Sequence, residues 1–239
     1  MERTDLIGKV NSIQTLGTLD GPGVRFVVFM QGCNLRCGCC HNPETWETAG
    51  GTEYSVTELA DKTERYREYF KDNGGITLTG GEPLLQAEFV SELFKECHKR
   101  GINTCLDTSG SILNDSVKEA LSHTDRVLLD IKYTSDEDYK KYVGCSIDKP
   151  LKFLDYLNKQ KIPTTVRQVI IPTLNDSKES ILRLKSIVSN HACIDNVELL
   201  PFKKLCQTKY NNLKLEFKFA DLPTPTKADI EKLQSLIYS

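Results

Sequence analysis

Short apolar segments alternate with amphipathic helical patterns along this chain of 239 residues, and no other feature constrains its fold as strongly. The segments are rich in β-branched residues and leave neither face polar, which is typical of strands buried on both faces of a parallel sheet. Six strands are predicted in this way, at residues 24–30, 75–79, 103–107, 126–131, 164–171 and 196–200. The spacing between them leaves room for the crossover helices that parallel strands require.

Helical patterns occupy the intervening segments. Ser55 and Glu58 are spaced as a capping box, which predicts a helix from there through Phe70. An apolar stripe from Phe89 to Cys97 predicts a helix that stops before Gly101. Apolar spacing predicts further helices around residues 151–157, 181–188 and 226–237.

Six β/α units predict an α/β fold, namely a partial (β/α)6 TIM-like barrel with parallel strands. An open doubly wound sheet is the alternative. Because the chain contains no internal repeat, low-complexity segment or linker, we expect one domain covering residues 1–239.

Composition and charge exclude several classes of protein. Hydrophobic residues make up 39% of the chain and charged residues 27%, as in an ordinary globular protein. A net charge of −2 offers no basic surface for nucleic acid. We expect no transmembrane helix, since no apolar run of about 18 residues occurs, and no secretory signal, since the first residues lack an apolar segment. The chain is therefore predicted to be cytoplasmic, with no nucleic-acid partner and no membrane association.

Three of the nine cysteines, Cys33, Cys37 and Cys40, follow the first predicted strand at a spacing that lets their thiolates bind one metal centre. Structural zinc and most iron–sulfur clusters take four protein ligands, so three leave a position open for another ligand. Zinc is an alternative because Cys39 adds a fourth thiol, although adjacent Cys39 and Cys40 are awkward ligands for one tetrahedral ion. The C-x-x-C pair in the loop also permits a thioredoxin-type redox site. Most of the other cysteines are predicted to be small buried residues: Cys97, Cys105, Cys145, Cys193 and Cys206.

The predicted strands end in polar residues, and in such folds the carboxyl ends of parallel strands form the active-site edge. The second strand runs into Gly80-Gly81-Glu82, where glycine lets the backbone approach a ligand closely. The other strands contribute Asp107, Asp130, Lys132, Arg167 and Lys203. Each of these taken alone is equally consistent with an ordinary turn or a solvated strand end, but together they predict one functional edge.

These motifs together resemble the radical S-adenosylmethionine superfamily, which combines a Cys-x-x-x-Cys-x-x-Cys loop after its first strand with Gly-Gly-Glu after its second. Within it, the chain is similar to the pyruvate formate-lyase-activating group of glycyl-radical enzyme activases. The similarity runs from about Lys9 to the C-terminus and is carried by residues 17–26, 40–46, 104–108, 128–132 and 198–201. It implies a radical SAM core at about residues 9–205, followed by a C-terminal extension and helix at residues 206–239.

The resemblance implies a [4Fe–4S] cluster held by Cys33, Cys37 and Cys40, whose remaining iron binds S-adenosylmethionine. Its methionyl amine would contact Gly80 and its neighbours, and the full set implied for the cosubstrate is Cys39, Cys40, His41, Asn42, Gly80, Gly81, Glu82, Asp130, Ile131, Lys132, Arg167 and Lys203. A monovalent cation (Na⁺ or K⁺) is implied beside it, with oxygen ligands from Asp107, Thr108, Leu128 and Asp130. The residues implied to act in catalysis are Asp20, which would lie near the bound peptide, Asp107 and Lys132.

The resemblance also implies the reaction. The reduced cluster would cleave S-adenosylmethionine to methionine and a 5′-deoxyadenosyl radical, which removes a hydrogen atom from a glycine Cα of pyruvate formate-lyase (formate acetyltransferase), an enzyme of anaerobic metabolism. A flavodoxin or ferredoxin is implied as electron donor, and a monomer as the active form.

Three other functions are left open by the sequence. The first is activation of a different glycyl-radical enzyme, although the relevant activases usually insert further cysteine clusters and this chain has no cysteine between Trp46 and Gly80. The second is radical chemistry on a small molecule. The third is a non-catalytic zinc-binding module.

Two positions depart from the family pattern. Cys39 stands where an aromatic residue usually precedes the last cysteine, and Lys203 stands where a histidine near the adenine is expected. We therefore expect Cys39 to be a bystander rather than a ligand. At Lys203 only the position, and not the residue type, supports the implied adenine contact.

Overall fold

A computed structural model describes residues 5–238, in which eight strands and nine α-helices alternate. The strands are β1 (Ile7–Gly17), β2 (Arg25–Met30), β3 (Thr52–Ser55), β4 (Gly75–Gly80), β5 (Asn103–Thr108), β6 (Arg126–Asp130), β7 (Thr164–Ile170) and β8 (Ile194–Pro201). The helices are α1 (Val56–Glu64), α2 (Arg67–Phe70), α3 (Ala87–Lys99), α4 (Asp115–Ser122), α5 (Asp136–Tyr142), α6 (Asp148–Gln160), α7 (Lys178–Ser189), α8 (Gln207–Asn212) and α9 (Lys227–Tyr238). None of the helices within residues 5–238 combines the length and the apolar character needed to cross a membrane.

The chain divides into two compact units. The first comprises the residues up to Asn34 together with Thr45–Thr108 and Ile112–Leu128. The second comprises Leu35–Glu44, Ser109–Ser111 and the residues from Leu129 onward. Strand β6 therefore begins in the first unit and ends in the second.

The first unit contains a sheet in the order β3-β1-β2-β4-β5. Strands β2, β4 and β5 pair in parallel, whereas β1 pairs antiparallel with both β2 and β3. β2 is almost entirely buried, as its continuous apolar sequence predicts. Helices α1, α3 and α4 supply apolar side chains to the core of this unit, among them Leu59, Phe94 and Val117, each fully buried.

The second unit contains the parallel pair β7 and β8, in which Arg167 is opposite Glu198. The chain just beyond β6 adds to this pair, since the Ile131 N–H donates to the Arg167 carbonyl at 2.9 Å. Helix α9 contributes Gln234, whose side chain accepts from the Leu199 N–H at 3.2 Å and donates to the Val197 carbonyl at 2.9 Å. These bonds satisfy backbone groups of β8 that a strand partner would otherwise have to satisfy.

The predicted α/β class and its mostly parallel strands are confirmed. All six predicted strands are present, and their ends lie within two residues of the predicted ones. The antiparallel strands β1 and β3 escaped prediction because neither is a continuous buried apolar run: β1 mixes buried, partly exposed and exposed residues, and β3 has no buried residue. Helices α2, α4, α5 and α8 were not predicted separately, since each is short.

The capping box at the start of α1 is confirmed, because Ser55 Oγ accepts from the Glu58 N–H at 3.2 Å while Glu58 Oε2 accepts from the Ser55 N–H at 2.8 Å. The prediction of one helix through Phe70 is wrong, because α1 ends at Glu64 and the turn that follows is stabilised by a bond from the Tyr66 N–H to the Thr63 carbonyl.

The cysteines outside the loop are also mostly as predicted. Cys97, Cys105 and Cys206 are buried, whereas Cys145 and Cys193 are partly exposed.

Candidate active site

The Gly-Gly-Glu turn after β4 is built against the chain that leaves β2. The Gly81 N–H donates to the Met30 carbonyl at 3.1 Å, and the Glu82 N–H donates to the Gly32 carbonyl at 2.8 Å. Gly80 has a φ of +117°, and a Cβ at Gly81 would lie 2.1 Å from the Gly32 carbonyl oxygen. Only glycine fits this conformation and this approach, so the motif is required for the turn itself, as well as being suited to ligand contact.

Carboxylates at the ends of β4 and β5 accept hydrogen bonds from threonine hydroxyls. Asp107 Oδ2 accepts from Thr79 Oγ1 at 2.8 Å. Glu82, which is 1% exposed, accepts from Thr108 Oγ1 at 2.7 Å through Oε1. A hydroxyl holds a carboxylate in one position without cancelling its negative charge, so this edge can attract a positive group.

Asp20 belongs to the turn that leads into β2, and a buried arginine organises that turn. Arg25, fully buried, donates through Nε to Thr77 Oγ1 at 2.9 Å, and Thr77 Oγ1 in turn donates to the Asp20 carbonyl at 2.7 Å. Burial lowers the pKa of Arg25, while Cys105 and Asp125 act in the opposite direction. The backbone at Asp20 is therefore held by a buried network that spacing in the sequence did not reveal.

The cysteine loop begins in the first unit. The Gly32 N–H donates to the Thr45 carbonyl at 2.9 Å, and the Cys33 N–H donates to the Trp46 carbonyl at 3.4 Å. The chain entering the loop is thus bonded to the chain leaving it, so the backbone at Cys33 is fixed where the loop begins.

The rest of the loop, residues 35–44, is held by helix α5 within the second unit. The Arg36 N–H donates to the Val143 carbonyl at 3.3 Å, and the Gly38 N–H donates to the Tyr142 carbonyl at 2.9 Å. A Cβ at Gly38 would lie 2.4 Å from the ring of Phe219, so the backbone between Cys37 and Cys39 packs directly on an aromatic side chain.

Helix α8 holds the end of the same loop. Lys209 Nζ donates to Asn42 Oδ1 at 2.7 Å and pairs with Glu44 Oε1 at 2.5 Å. The Tyr210 hydroxyl donates to the Cys40 carbonyl at 3.2 Å. Sequence reasoning missed Lys209 and Tyr210, because nothing in the spacing of residues 207–212 indicates that this short helix contacts the loop.

His41 and Lys203, two residues predicted to contact the cosubstrate, lie next to each other. The His41 Nε2 atom lies 3.0 Å from the Lys203 carbonyl oxygen, which can accept only if that nitrogen carries the proton. The contact uses the backbone of Lys203 and leaves its ammonium group out, so the lysine that departs from the family pattern remains compatible with this geometry.

Lys132 and Asp130 form an ion pair at the end of β6, with Nζ 2.7 Å from Oδ2. Burial disfavours the charge on Lys132, but Asp130 and the Cys37 and Cys39 thiols outweigh it, so the pKa of Lys132 lies well above its usual value. Burial raises the pKa of the Cys39 thiol to about 11, against the opposing effect of Lys132. The structure thus brings Lys132 near the two loop cysteines that the sequence separates from it.

Arg167 and Glu198 form a further ion pair of this unit, with Nε 3.6 Å from Oε2. The pair lies on adjacent parallel strands, and Ile131 is bonded to the Arg167 carbonyl. Gln168 Nε2 donates to the Ile131 carbonyl at 2.9 Å. Ile131, itself buried, therefore has its backbone fixed between β7 residues.

The donor set suits a sulfur-ligated cluster. The four loop cysteines are thiols outside any disulfide, each half-buried, and thiolate is the ligand that iron–sulfur clusters prefer. Among residues 5–238, no three His, Cys, Asp or Glu side chains converge as ligands of a single metal ion do. Thiolates that hold a [4Fe–4S] cluster bind separate irons, so they need not meet at one point. The glycine turn at Gly80 and Gly81 adds an open backbone cradle that a Cβ would fill.

Known proteins with similar sequences share one description. The sequence model of the Radical SAM superfamily matches residues 27–184. The pyruvate formate-lyase-activating enzyme of Clostridium pasteurianum is 42% identical over 233 residues, which cover 97% of this chain and 98% of that protein. The pyruvate formate-lyase 1-activating enzyme of Escherichia coli strain K12 is 37% identical over 235 residues, which cover 97% of this chain and 96% of that protein.

A solved structure has a similar fold. Streptococcus suis SuiB bound to its precursor peptide SuiA has a TM-score of 0.69 at 17% identity, covering 90% of this chain and 45% of that chain. Identity this low supports a shared fold and no shared substrate. The predicted fold class is confirmed by this likeness.

Proposed function

This chain belongs to the radical SAM superfamily and, within it, to the pyruvate formate-lyase-activating enzymes, and from that premise we propose that its protein substrate is pyruvate formate-lyase. The observation that carries the proposal is the similarity to enzymes of that name over almost the whole chain. The matched length includes the segment after the core, where α8 holds the cysteine loop.

The cofactors of this family are a [4Fe–4S] cluster and S-adenosylmethionine, and the chain's activity is to generate a glycyl radical on a partner enzyme. When bound, the cluster supplies the electron that cleaves S-adenosylmethionine to methionine and a 5′-deoxyadenosyl radical, which takes a hydrogen atom from a glycine Cα. Hydrogen-atom transfer needs no general base. The chain's own residues therefore have to bind, orient and exclude water.

Cys33, Cys37 and Cys40 are proposed as the cluster ligands, with Cys39 as a bystander. The backbone bond that fixes Cys33 at the start of the loop supports this assignment, and so do the bonds from α5 and α8 to the rest of the loop. Each fixes backbone beside a ligand before the metal arrives, which reduces the ordering that binding must supply.

The residues proposed to bind S-adenosylmethionine fall into two groups. Backbone of Gly80 and Gly81, with the Glu82 carboxylate nearby, suits the methionyl ammonium, because carboxylate and carbonyl oxygens accept hydrogen bonds from an ammonium group and Thr108 holds this carboxylate in position. Lys132 and Arg167 are cations that suit the carboxylate and ribose. The other proposed contacts are Cys39, Cys40, His41, Asn42, Asp130, Ile131 and Lys203.

A monovalent cation is proposed beside the cosubstrate, with oxygen ligands from Asp107, Thr108, the Leu128 carbonyl and Asp130. Support comes from the hydrogen bond that holds Asp107, since it positions a carboxylate oxygen without neutralising it. Asp20 is proposed to lie near the bound peptide. The buried Arg25 network that holds its backbone supports this role.

The remaining proposals concern the enzyme as a whole. We propose a flavodoxin or ferredoxin as electron donor, a monomer as the active form, a single domain and a cytoplasmic location. The first two follow from the family resemblance, and the last two from the features of the sequence described above.

A radical-transfer assay tests the substrate directly. Anaerobically reconstituted protein, reduced in the presence of S-adenosylmethionine, should release 5′-deoxyadenosine and should produce a glycyl radical signal in pyruvate formate-lyase by electron paramagnetic resonance. Release of 5′-deoxyadenosine without that signal would assign the chain to another glycyl-radical enzyme. A pyruvate formate-lyase variant lacking the target glycine is the control.

The ligand assignment has its own test. Cys33→Ser should lose the cluster, whereas Cys39→Ser should retain it, as judged by iron content and visible absorption after reconstitution. Equal loss of iron in both variants would show that Cys39 is a ligand.

A further inference from the structure

Tyr133 is a buried tyrosine whose hydroxyl is unpaired. The residue is 2% exposed, and its hydroxyl oxygen has no hydrogen-bond partner among residues 5–238. A buried hydroxyl left unsatisfied costs about 1–3 kcal/mol. Such a group in a native fold calls for an explanation, and a partner that binds later is one of the recognised explanations.

The ring of Tyr133 packs on a tyrosine whose backbone is bonded to the cysteine loop. It packs against Tyr142 with a centroid separation of 5.2 Å and an interplanar angle of 30°. The Tyr142 carbonyl accepts the Gly38 N–H at 2.9 Å, which joins this aromatic pair to the backbone between Cys37 and Cys39. After burial, the Cys39 and Cys37 thiols are the largest causes of the raised pKa of Tyr133, consistent with a position close to both.

Two other buried tyrosines in the same unit have satisfied hydroxyls. The Tyr139 hydroxyl accepts from the Lys132 N–H at 3.2 Å and donates to the Asp130 carbonyl at 3.4 Å. The Tyr210 hydroxyl donates to the Cys40 carbonyl at 3.2 Å. Of these three tyrosines, only Tyr133 has a hydroxyl that donates no hydrogen bond within the described part of the chain.

We propose that the Tyr133 hydroxyl donates a hydrogen bond to a bridging sulfide of the [4Fe–4S] cluster and so raises the reduction potential of the cluster. The inference rests on the proposed cluster at the loop. Hydrogen bonds to sulfur stabilise the reduced cluster, which carries one more negative charge than the oxidised cluster. Tyr133 is a positioning and tuning residue in this role, which neither the cysteine spacing nor the strand-end motifs indicate.

The test is the midpoint potential of the reconstituted enzyme. Tyr133→Phe keeps the ring and removes only the hydroxyl, so we expect full iron content and a midpoint potential more negative than that of the wild type in a redox titration followed by electron paramagnetic resonance. Tyr142→Phe is the matched control, because it removes a hydroxyl from the other ring of the same pair, and that hydroxyl is bonded to Lys141. Its potential should equal that of the wild type.

An unchanged potential in Tyr133→Phe with a full cluster overturns the inference. Equal shifts in both variants overturn it as well, since they would assign the effect to packing. Wild-type protein that assembles no cluster would instead refute the proposed function.

A second measurement needs no variant. Wild-type protein containing fluorotyrosine should show a fluorine coupling to the reduced cluster in electron–nuclear double resonance. Absence of that coupling overturns the inference even if Tyr133→Phe fails to fold.

Discussion

Carboxylates at the strand ends of the two units are held by different kinds of donor. In the first unit, Asp107 and Glu82 accept from the hydroxyls of Thr79 and Thr108. A hydroxyl is a neutral donor, so these bonds orient the carboxylates without adding a positive charge beside them.

In the second unit, the corresponding carboxylates pair with cations. Asp130 binds Lys132 at 2.7 Å, and Glu198 lies 3.6 Å from Arg167. A carboxylate that pairs with a cation stabilises it in a half-buried place and holds its charge in one position.

The difference teaches what each edge can receive. A hydroxyl-held carboxylate suits an ammonium group or a monovalent cation, whereas a carboxylate-held lysine or arginine suits an anion. S-adenosylmethionine carries both kinds of group at its methionyl end. The charged groups of each unit can therefore be tested separately by substitution.

The largest effect is expected at Lys132, whose ammonium group is proposed to bind S-adenosylmethionine directly. Lys132→Met should lower the rate of 5′-deoxyadenosine formation about 10- to 100-fold, the equivalent of one hydrogen bond to a charged group. Lys140→Met is the matched control, since Lys140 also pairs with an aspartate but is 65% exposed. If both variants cleave S-adenosylmethionine at the wild-type rate, the Lys132 ammonium group has no role in binding.

The next effect is on the cation requirement. Asp107→Asn should raise the potassium concentration that gives half-maximal activity by about tenfold, because one negative charge is removed from an oxygen site. Potassium would be titrated against choline at constant ionic strength. Asp115→Asn, whose side chain is 97% exposed, should change nothing. If the activity of the wild-type enzyme does not depend on potassium, the proposed cation site is wrong.

A stability measurement examines the hydroxyl donors alone. Thr108→Val should lower the free energy of unfolding of the cluster-free protein by about 2 kcal/mol, because the buried Glu82 loses a bond to a charged acceptor. Thr124→Val provides the comparison, since its hydroxyl donates to the neutral Ala120 carbonyl at 2.9 Å and should contribute about 1 kcal/mol. Equal losses in urea unfolding would mean that the Glu82 charge gains nothing from Thr108.

The smallest effect is expected at Glu198, whose side chain is 40% exposed. Glu198→Gln should change the free energy of unfolding by about 0.5 kcal/mol, because ion pairs of this exposure contribute little. The difference should disappear at high salt, where exposed charges are screened. A larger loss that persists in salt would show that the Arg167 pair behaves as a buried one.

Much of the fold was predictable because the buried parallel strands have short apolar runs. β2, β4 and β6 satisfy that pattern, so their positions follow from local composition. β1 and β3 do not, because one face of each is partly exposed and their partners are antiparallel neighbours. The break between α1 and α2 is a turn closed by backbone bonds, which an amphipathic pattern does not register.

The candidate site was predictable where its residues are close together in the sequence. The cysteine loop and the glycine turn are each contained in a few consecutive residues, and both lie where a strand ends. Lys209 and Tyr133 were missed for opposite reasons. Lys209 is 167 positions from Asn42, whereas Tyr133 is a single aromatic residue after a strand and looks like ordinary core.

The sequence by itself determined the kind of chemistry, because thiol spacing, strand-end charges and glycines are properties of short segments, and together they indicated the family that the comparisons confirm. Only the tertiary structure decided which groups hold those segments. α5 and α8 bond to the cysteine loop, and threonines orient one set of carboxylates. These are contacts between residues far apart in the chain. No local pattern encodes them, because the geometry that makes a hydrogen bond exists only once the chain is packed.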